Sequence, residues 1–275
     1  MTGPTSDTRF AGAVPKAYET YLVPLLFEPY AADLAGRVAA LAPANVLEIA
    51  AGTGVVTRAL ASRLPPSVSI VATDLNPPML AEAEAIGTSR PVEWRPADAM
   101  ALPFADATRD VVVCQFGAMF FPNKATAFAE ALRVLRPGGT FLFSVWTGLA
   151  DNELADEVQS ALTSVFPEDP PRFLERLPHG YLGRERIEKD VSAGGFTASP
   201  RIEVLTLRSR ARSARDAAVA YCLGTPLRNE IESRDATRLD AAMAACTSAI
   251  AVRFGSGEID AKMQALVIAV PKTAR

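Results

Sequence analysis

The chain has 275 residues, 49% of them hydrophobic, a net charge of −3 and a single histidine. That length and apolar share suffice for a sizeable buried core, while the mild acidity excludes the basic footprint by which nucleic-acid binders are recognised. Cys114, Cys222 and Cys246 are odd in number and lack metal-ligand spacing, so no disulfide framework and no metal site is expected, and a reducing cytoplasm is the expected compartment.

In chain order, residues 1 to about 13 are small and polar. MTGPTSDTRF lacks the basic start and apolar run of an export signal, and no later stretch approaches the roughly 18 uninterrupted apolar residues of a membrane span. Neither export nor a membrane partner is expected. YETYLVPLLFEPYAADLAGRVAALAP sets Leu34, Val38 and Leu41 on one helical face, so residues 1–43 read as a tail and a helical lid segment. From Asn45 onward apolar runs alternate with helical patterns: VLEIA, a helix from Thr53 to Leu64, VSIVATD, the helix PPMLAEAEAIG, VEWRPAD, DVVVCQF, the helix NKATAFAEALRVL, then TFLFSVW. This alternation predicts an α/β, doubly wound, mostly parallel sheet with helices on both faces. After Trp146 come an amphipathic helix around Leu154, Val158 and Leu162, a proline-rich loop and a helix ending at GGF. RIEVLTLRS reads as a sixth strand and ALVIAV as a seventh. The expected core is residues 44–212 with 263–275, and residues 213–262 form a helical cap inserted between the last two strands.

Ligands of an open parallel sheet collect beyond the carboxyl ends of its strands. Four exits carry chemistry: Glu48 into AAGTG, Asp74, Asp98, and Cys114-Gln115-Phe116. Gly52 and Gly54 allow a tight strand-to-helix turn. Asp74 lies about twenty residues further on, where a carboxylate accepts from both hydroxyls of an adenosine ribose. Glu48 beside the turn would repel a pyrophosphate and suits a ligand with an ammonium group. S-adenosylmethionine has that ammonium and no phosphate.

VLEIAAGTG, ATDLNPPML, PADAMALPFADATRDVVVCQF and LRVLRPGGTFLFSVW, in this order over residues 44 to 147, resemble the class I (Rossmann-like) S-adenosylmethionine-dependent methyltransferases, and among them the small-molecule type similar to ubiquinone and menaquinone methyltransferases. The resemblance implies methyl transfer from S-adenosylmethionine to a small-molecule acceptor, with S-adenosylhomocysteine as product. It implies that Gly52 and Gly54 let the methionine part approach, that Asp74 binds the ribose, and that Leu75 and Met79 flank the adenine. Asp98, Ala99 and Met100 would border the adenine edge, and Gln115 and Phe116 the methionine end. Ala50 is a departure, standing where many relatives have a first glycine. Asn76-Pro77-Pro78 imitates an amide-clamping tetrad but follows the second strand rather than the fourth, and reads as two prolines opening a helix.

Because a sulfonium methyl is already activated, alignment and water exclusion carry most of the catalysis, and a general base matters only for a hydroxyl acceptor. His179 in LPHGYLG is the one imidazole and hence the catalytic candidate. Substrate contacts are expected from Tyr18, Tyr21 and Phe27, from Met119 and Phe120, from Trp146 and Tyr181, and from Arg228 in the cap. The cap helix with Ala217, Ala218, Tyr221 and Cys222 fits a lid or the face of a homodimer. Three rivals stand beside methyl transfer to a small molecule: a nicotinamide-dependent oxidoreductase, against which Glu48 and Thr57 at the third glycine position count; a non-catalytic S-adenosylmethionine-binding protein; and methylation of a macromolecule.

Overall fold

Five apolar runs between residues 45 and 146 form the parallel half of a seven-stranded sheet in this computed structural model, which describes residues 10, 12 and 14–273. The strands are β1 (Asn45–Ile49), β2 (Ser69–Asp74), β3 (Glu93–Pro96), β4 (Arg109–Gln115), β5 (Leu135–Trp146), β6 (Arg201–Ala211) and β7 (Ile259–Pro271). Their spatial order is β3-β2-β1-β4-β5-β7-β6, with β7 antiparallel to both neighbours. β1 and β4 lie side by side at the point where the strand order reverses, and their exits diverge into a crevice. Most of the expected N-terminal tail lies outside the described residues.

The central strands are apolar on both faces because helices cover both. α1 (Val14–Ala17) and α2 (Glu28–Ala40) precede the sheet; α3 (Val55–Arg63), α4 (Pro77–Ile86) and α5 (Lys124–Val134) are the crossovers; α6 (Glu153–Val165), α7 (Phe173–Arg176) and α8 (Arg184–Ala193) follow β5. The cap between β6 and β7 consists of α9 (Ala214–Gly224), α10 (Leu227–Asp235) and α11 (Leu239–Phe254). No helix among the described residues is long and apolar enough to cross a membrane.

Two elements differ from the sequence expectation. β7 starts at Ile259 rather than at ALVIAV, because its first half alternates buried Ile259, Ala261 and Met263 with outward Asp260, Lys262 and Gln264 against β6. Tyr18–Phe27 is wound as a wide π-type helix containing Pro24. Its loosened carbonyls find partners elsewhere: Ser209 Oγ donates to Leu25 O at 2.9 Å and Gln115 Nε2 to Phe27 O at 3.1 Å. The LRPGG link serves backbone geometry. Gly138 has φ +80° and its N–H donates to Lys272 O at 2.8 Å, while a side chain on Gly139 would press on Asp110 O.

Candidate active site

The exits of β1, β2 and β4 open into one cavity of about 530 Å³, roofed by the π-type helix, the 173–179 segment and the end of α9. At the sheet end, Ala50 leaves β1 with φ 55° and Gly52 follows with φ +58°, bringing backbone N–H groups round toward β2. Asp74 closes that turn: Oδ2 accepts from Gly52 N at 2.8 Å and Oδ1 from Asn76 N at 2.8 Å. Burial raises the Asp74 pKa above its ordinary value, against the lowering effect of those N–H donors. Oδ2 keeps a further lone pair for a ligand hydroxyl, and Oδ1 frees one when the longer bond from Asn76 Nδ2, 3.3 Å, gives way.

Leu75, Met79, Asp98, Ala99 and Met100 continue the lining from the exits of β2 and β3. At the β4 exit, Gln115 leaves its Oε1 buried without a partner, and Phe116 adopts φ 53°. Strain of this kind in a side-chain-bearing residue is concentrated at functional sites. Here it lays the Phe116 ring parallel on Trp146 with centroids 3.8 Å apart. Tyr18 stacks on Phe27 at 5.2 Å, and its hydroxyl stands over Gly52. Further in, the lining is Met119, Phe120, Phe173, Leu174 and Leu177, together with His179, Asn152, Tyr221 and Thr225. His179 is buried, with Nδ1 2.8 Å from Thr147 O, and burial pushes its pKa down to about 4. The imidazole is neutral at physiological pH.

A sequence profile described as a methyltransferase domain matches residues 47–143, the stretch that supplies the β1, β2, β3 and β4 exits of the cavity. Over that stretch the chain is similar to a methyltransferase domain. It is 37% identical over 157 residues to an uncharacterised protein of Mycobacterium tuberculosis, covering 56% of this chain and 53% of that one. It is 42% identical over 100 residues to the demethylmenaquinone methyltransferase of Thermus thermophilus, covering 36% and 45%. The chain thus spans about half the length of the curated relatives it matches. In fold it is similar to a phosphoethanolamine N-methyltransferase of Haemonchus contortus, solved with phosphomonomethylethanolamine and S-adenosylhomocysteine: TM-score 0.56, 20% identity, 94% of this chain and 57% of that one.

Several residues expected at the site stand elsewhere. Gly54 does not line the cavity; with φ +83°, a Cβ there would lie 2.7 Å from the Trp94 ring, so this glycine serves the packing of Trp94. Glu48 lies behind the turn, 1% exposed, accepting from Thr57 Oγ1 at 2.5 Å. Burial raises its pKa to about 8, so it is largely protonated at neutral pH and offers no carboxylate to an ammonium group. Thr57, occupied by this bond, stands where a dinucleotide turn has its third glycine.

Among the expected substrate residues, Tyr21 sits in an outer groove between α1 and α4. Tyr181 turns away from the cavity to bond Asp190 at 2.8 Å and carries Lys124 Nζ over its ring at 4.8 Å. Arg228 pairs with Glu232 at 2.7 Å, one helical turn along α10. The proposed dimer face on α9 is inside the chain: Ala217, Ala218 and Cys222 are fully buried, and Tyr221 faces the cavity. These α9 side chains pack within the chain and against the cavity rather than on an outer face. Phe10, Asn76, Asn152, Phe173 and Leu177 line the cavity and were not anticipated. Only Asn76, next to Asp74, carried a positional signal.

Proposed function

We propose that this chain transfers the methyl group of S-adenosylmethionine to a small-molecule acceptor, working in the cytoplasm. The observation that carries this reading is the continuity of the cavity, from the Gly52–Asp74 turn to an apolar end beside His179. The residues present fit the cofactor. Asp74 would accept from ribose hydroxyls, Leu75 and Met79 would pack on the adenine with Asp98 at its edge, and the orphan Oε1 of Gln115 would accept from a donor at the methionine end. When bound, S-adenosylmethionine supplies an activated methyl group. The chain's part is alignment between the two ends and exclusion of water by Phe27, Phe116 and Trp146. His179, neutral and with a lone pair on Nε2, supports a role as proton acceptor.

The nicotinamide reading is disfavoured because no lysine or arginine lies among the described lining residues to offset a pyrophosphate. The deciding experiment is titration calorimetry with S-adenosylhomocysteine. Wild type binds, and Asp74→Ala, with its fold verified by circular dichroism, loses about 100-fold in affinity as two charge-assisted hydrogen bonds disappear. Equal affinity in the folded variant refutes the cofactor placement. Transfer itself is read by incubation with methyl-labelled S-adenosylmethionine and a fractionated cell extract, label being expected in the low-mass fraction. His179→Ala should reduce turnover of the acceptor found there while S-adenosylhomocysteine affinity stays within about twofold.

A further inference from the structure

The acceptor end of the cavity holds polar atoms whose unspent valences specify what the ligand must offer; the inference rests on the methyl-transfer reading above. Asn152 is fully used, Nδ2 donating to Gly148 O at 3.0 Å and to Thr147, and Oδ1 accepting from Gln264 N at 2.9 Å. Thr225 Oγ1 donates to Tyr221 O at 2.8 Å and accepts from Leu227 N at 3.1 Å. His179 is different. A carbonyl oxygen can only accept, so the ring proton of neutral His179 sits on Nδ1, facing Thr147 O, and Nε2 is left as an acceptor. Burial keeps the ring in that state down to about pH 4. Gln115 donates one Nε2 hydrogen to Phe27 O and leaves its Oε1 as an acceptor. The Tyr221 hydroxyl serves either role.

Among the described residues no lysine or arginine lines this end to answer an anion. Lys124, behind the Met119–Phe121 wall, is committed to Met119 O at 3.2 Å, Phe121 O at 3.1 Å and the Tyr181 ring. Arg228 is paired with Glu232. A phosphate or carboxylate buried here would face carboxamide and imidazole lone pairs without a counter-charge, which is costly. The remaining walls are hydrocarbon and ring faces: Trp146, Phe173, Leu174 and Leu177.

We propose that the acceptor is an uncharged, predominantly apolar molecule that presents a hydroxyl hydrogen to Nε2 of His179. The same lone pair discriminates against the corresponding ether, carbonyl or anion, because each brings an acceptor to an acceptor.

Three matched probes test this: 4-phenylphenol, 4-methoxybiphenyl and biphenyl-4-yl phosphate, titrated into the full chain saturated with S-adenosylhomocysteine. With 15N-histidine label, one residue reports, since the chain has a single histidine. The phenol should bind about tenfold tighter than either analogue and shift the unprotonated Nε2 resonance; a factor of ten corresponds to one hydrogen bond. His179→Phe should erase the preference and leave S-adenosylhomocysteine affinity unchanged. Equal or tighter binding of the ether or phosphate, or an Nε2 resonance that does not move, overturns the proposal, and this wild-type measurement stands even if His179→Phe does not fold. The cofactor reading fails separately: wild type that does not bind S-adenosylhomocysteine, but prefers the phenol when titrated alone, sinks that reading and supports the donor preference.

Discussion

At the scale of single residues, the turn after β1 is governed by two positions whose conformation outweighs their chemistry. Ala50 is held at φ 55°, and its Cβ occupies the space that a side chain on Gly117 would need. Gly117→Ala would also bring a methyl to 2.9 Å from Cys114 Sγ, so a loss of about 2 kcal/mol in urea denaturation is expected. Ala50→Gly relieves left-handed strain but frees the unfolded chain, leaving a net gain of at most about 1 kcal/mol. Combined with Gly117→Ala it should recover part of the loss, and strict additivity would show that the two Cβ positions do not compete. Glu48 sets a second, pH-dependent effect. Its proton leaves near the usual 4.5 in the unfolded chain and near 8 in the folded one, so between those values the native state holds the extra proton and stability falls as pH rises. Glu48→Gln should flatten that fall, by up to about 1.4 kcal/mol per pH unit, and a melting series from pH 5 to 8.5 reads it. His179 acts with the opposite sign: depressed to about 4, it adds stability as pH rises from 4 toward 6.5, and His179→Gln should remove that part of the profile. Sequence position identified Asp74 and the turn, because their spacing is local. That Glu48 is turned inward onto Thr57, and Gly54 onto Trp94, depends on packing between α3, α4 and β3, which spacing does not encode.

At the scale of elements, the parallel strands and their crossover helices are readable in the chain because β1, β2, β4 and β5 are built on apolar runs, while the short, exposed β3 is placed by the alternation around it. The first half of β7 and the π-type helix are not. One alternates like a surface strand; the other carries apolar residues on all sides, since it packs under α9 and over the sheet end at once. That helix forms a roof of the cavity, and its wide turns are held by side chains distant in sequence. Ser209 on β6 is fully buried for this purpose, its hydroxyl reaching Leu25 O. Ser209→Ala leaves that carbonyl without its partner and should cost about 1 to 2 kcal/mol. If the bond holds the roof specifically, amide exchange should accelerate in residues 18–27 more than in α3 or α5. Uniform acceleration across the sheet would mean that the serine contributes only global stability.

At the scale of the whole molecule, the cavity belongs to no single stretch of sequence. Its floor comes largely from the strand exits within residues 47–143, its roof from Phe10 and residues 18–27, one wall from residues 173–179 and another from the cap at residues 221–226. The profile match therefore covers the Asp74 turn and the Met119–Phe121 wall, and the rest of the far end is built by segments outside it. A ligand at the Asp74 turn touches the core and the underside of the roof, through Tyr18 over Gly52, and should stabilise both together. S-adenosylhomocysteine at about one hundred times its dissociation constant adds about 2.7 kcal/mol to the folded state, and for a chain of this size that raises the melting temperature by about 5 to 10 °C. Calorimetry should show one transition moving as a unit. A split endotherm, with only its upper part shifted, would mean that roof and cap melt independently of the liganded core. Asp74→Ala should lose most of the shift at the same ligand concentration, because the ribose loses its acceptor while the apolar walls remain. NAD at equal concentration should produce no shift in either protein, since no lysine or arginine is among the described residues lining the cavity and Thr57 fills the position where a dinucleotide fold needs a glycine. A shift with NAD as large as that with S-adenosylhomocysteine would overturn the assignment of the cavity, whatever the resemblance of the strands around it.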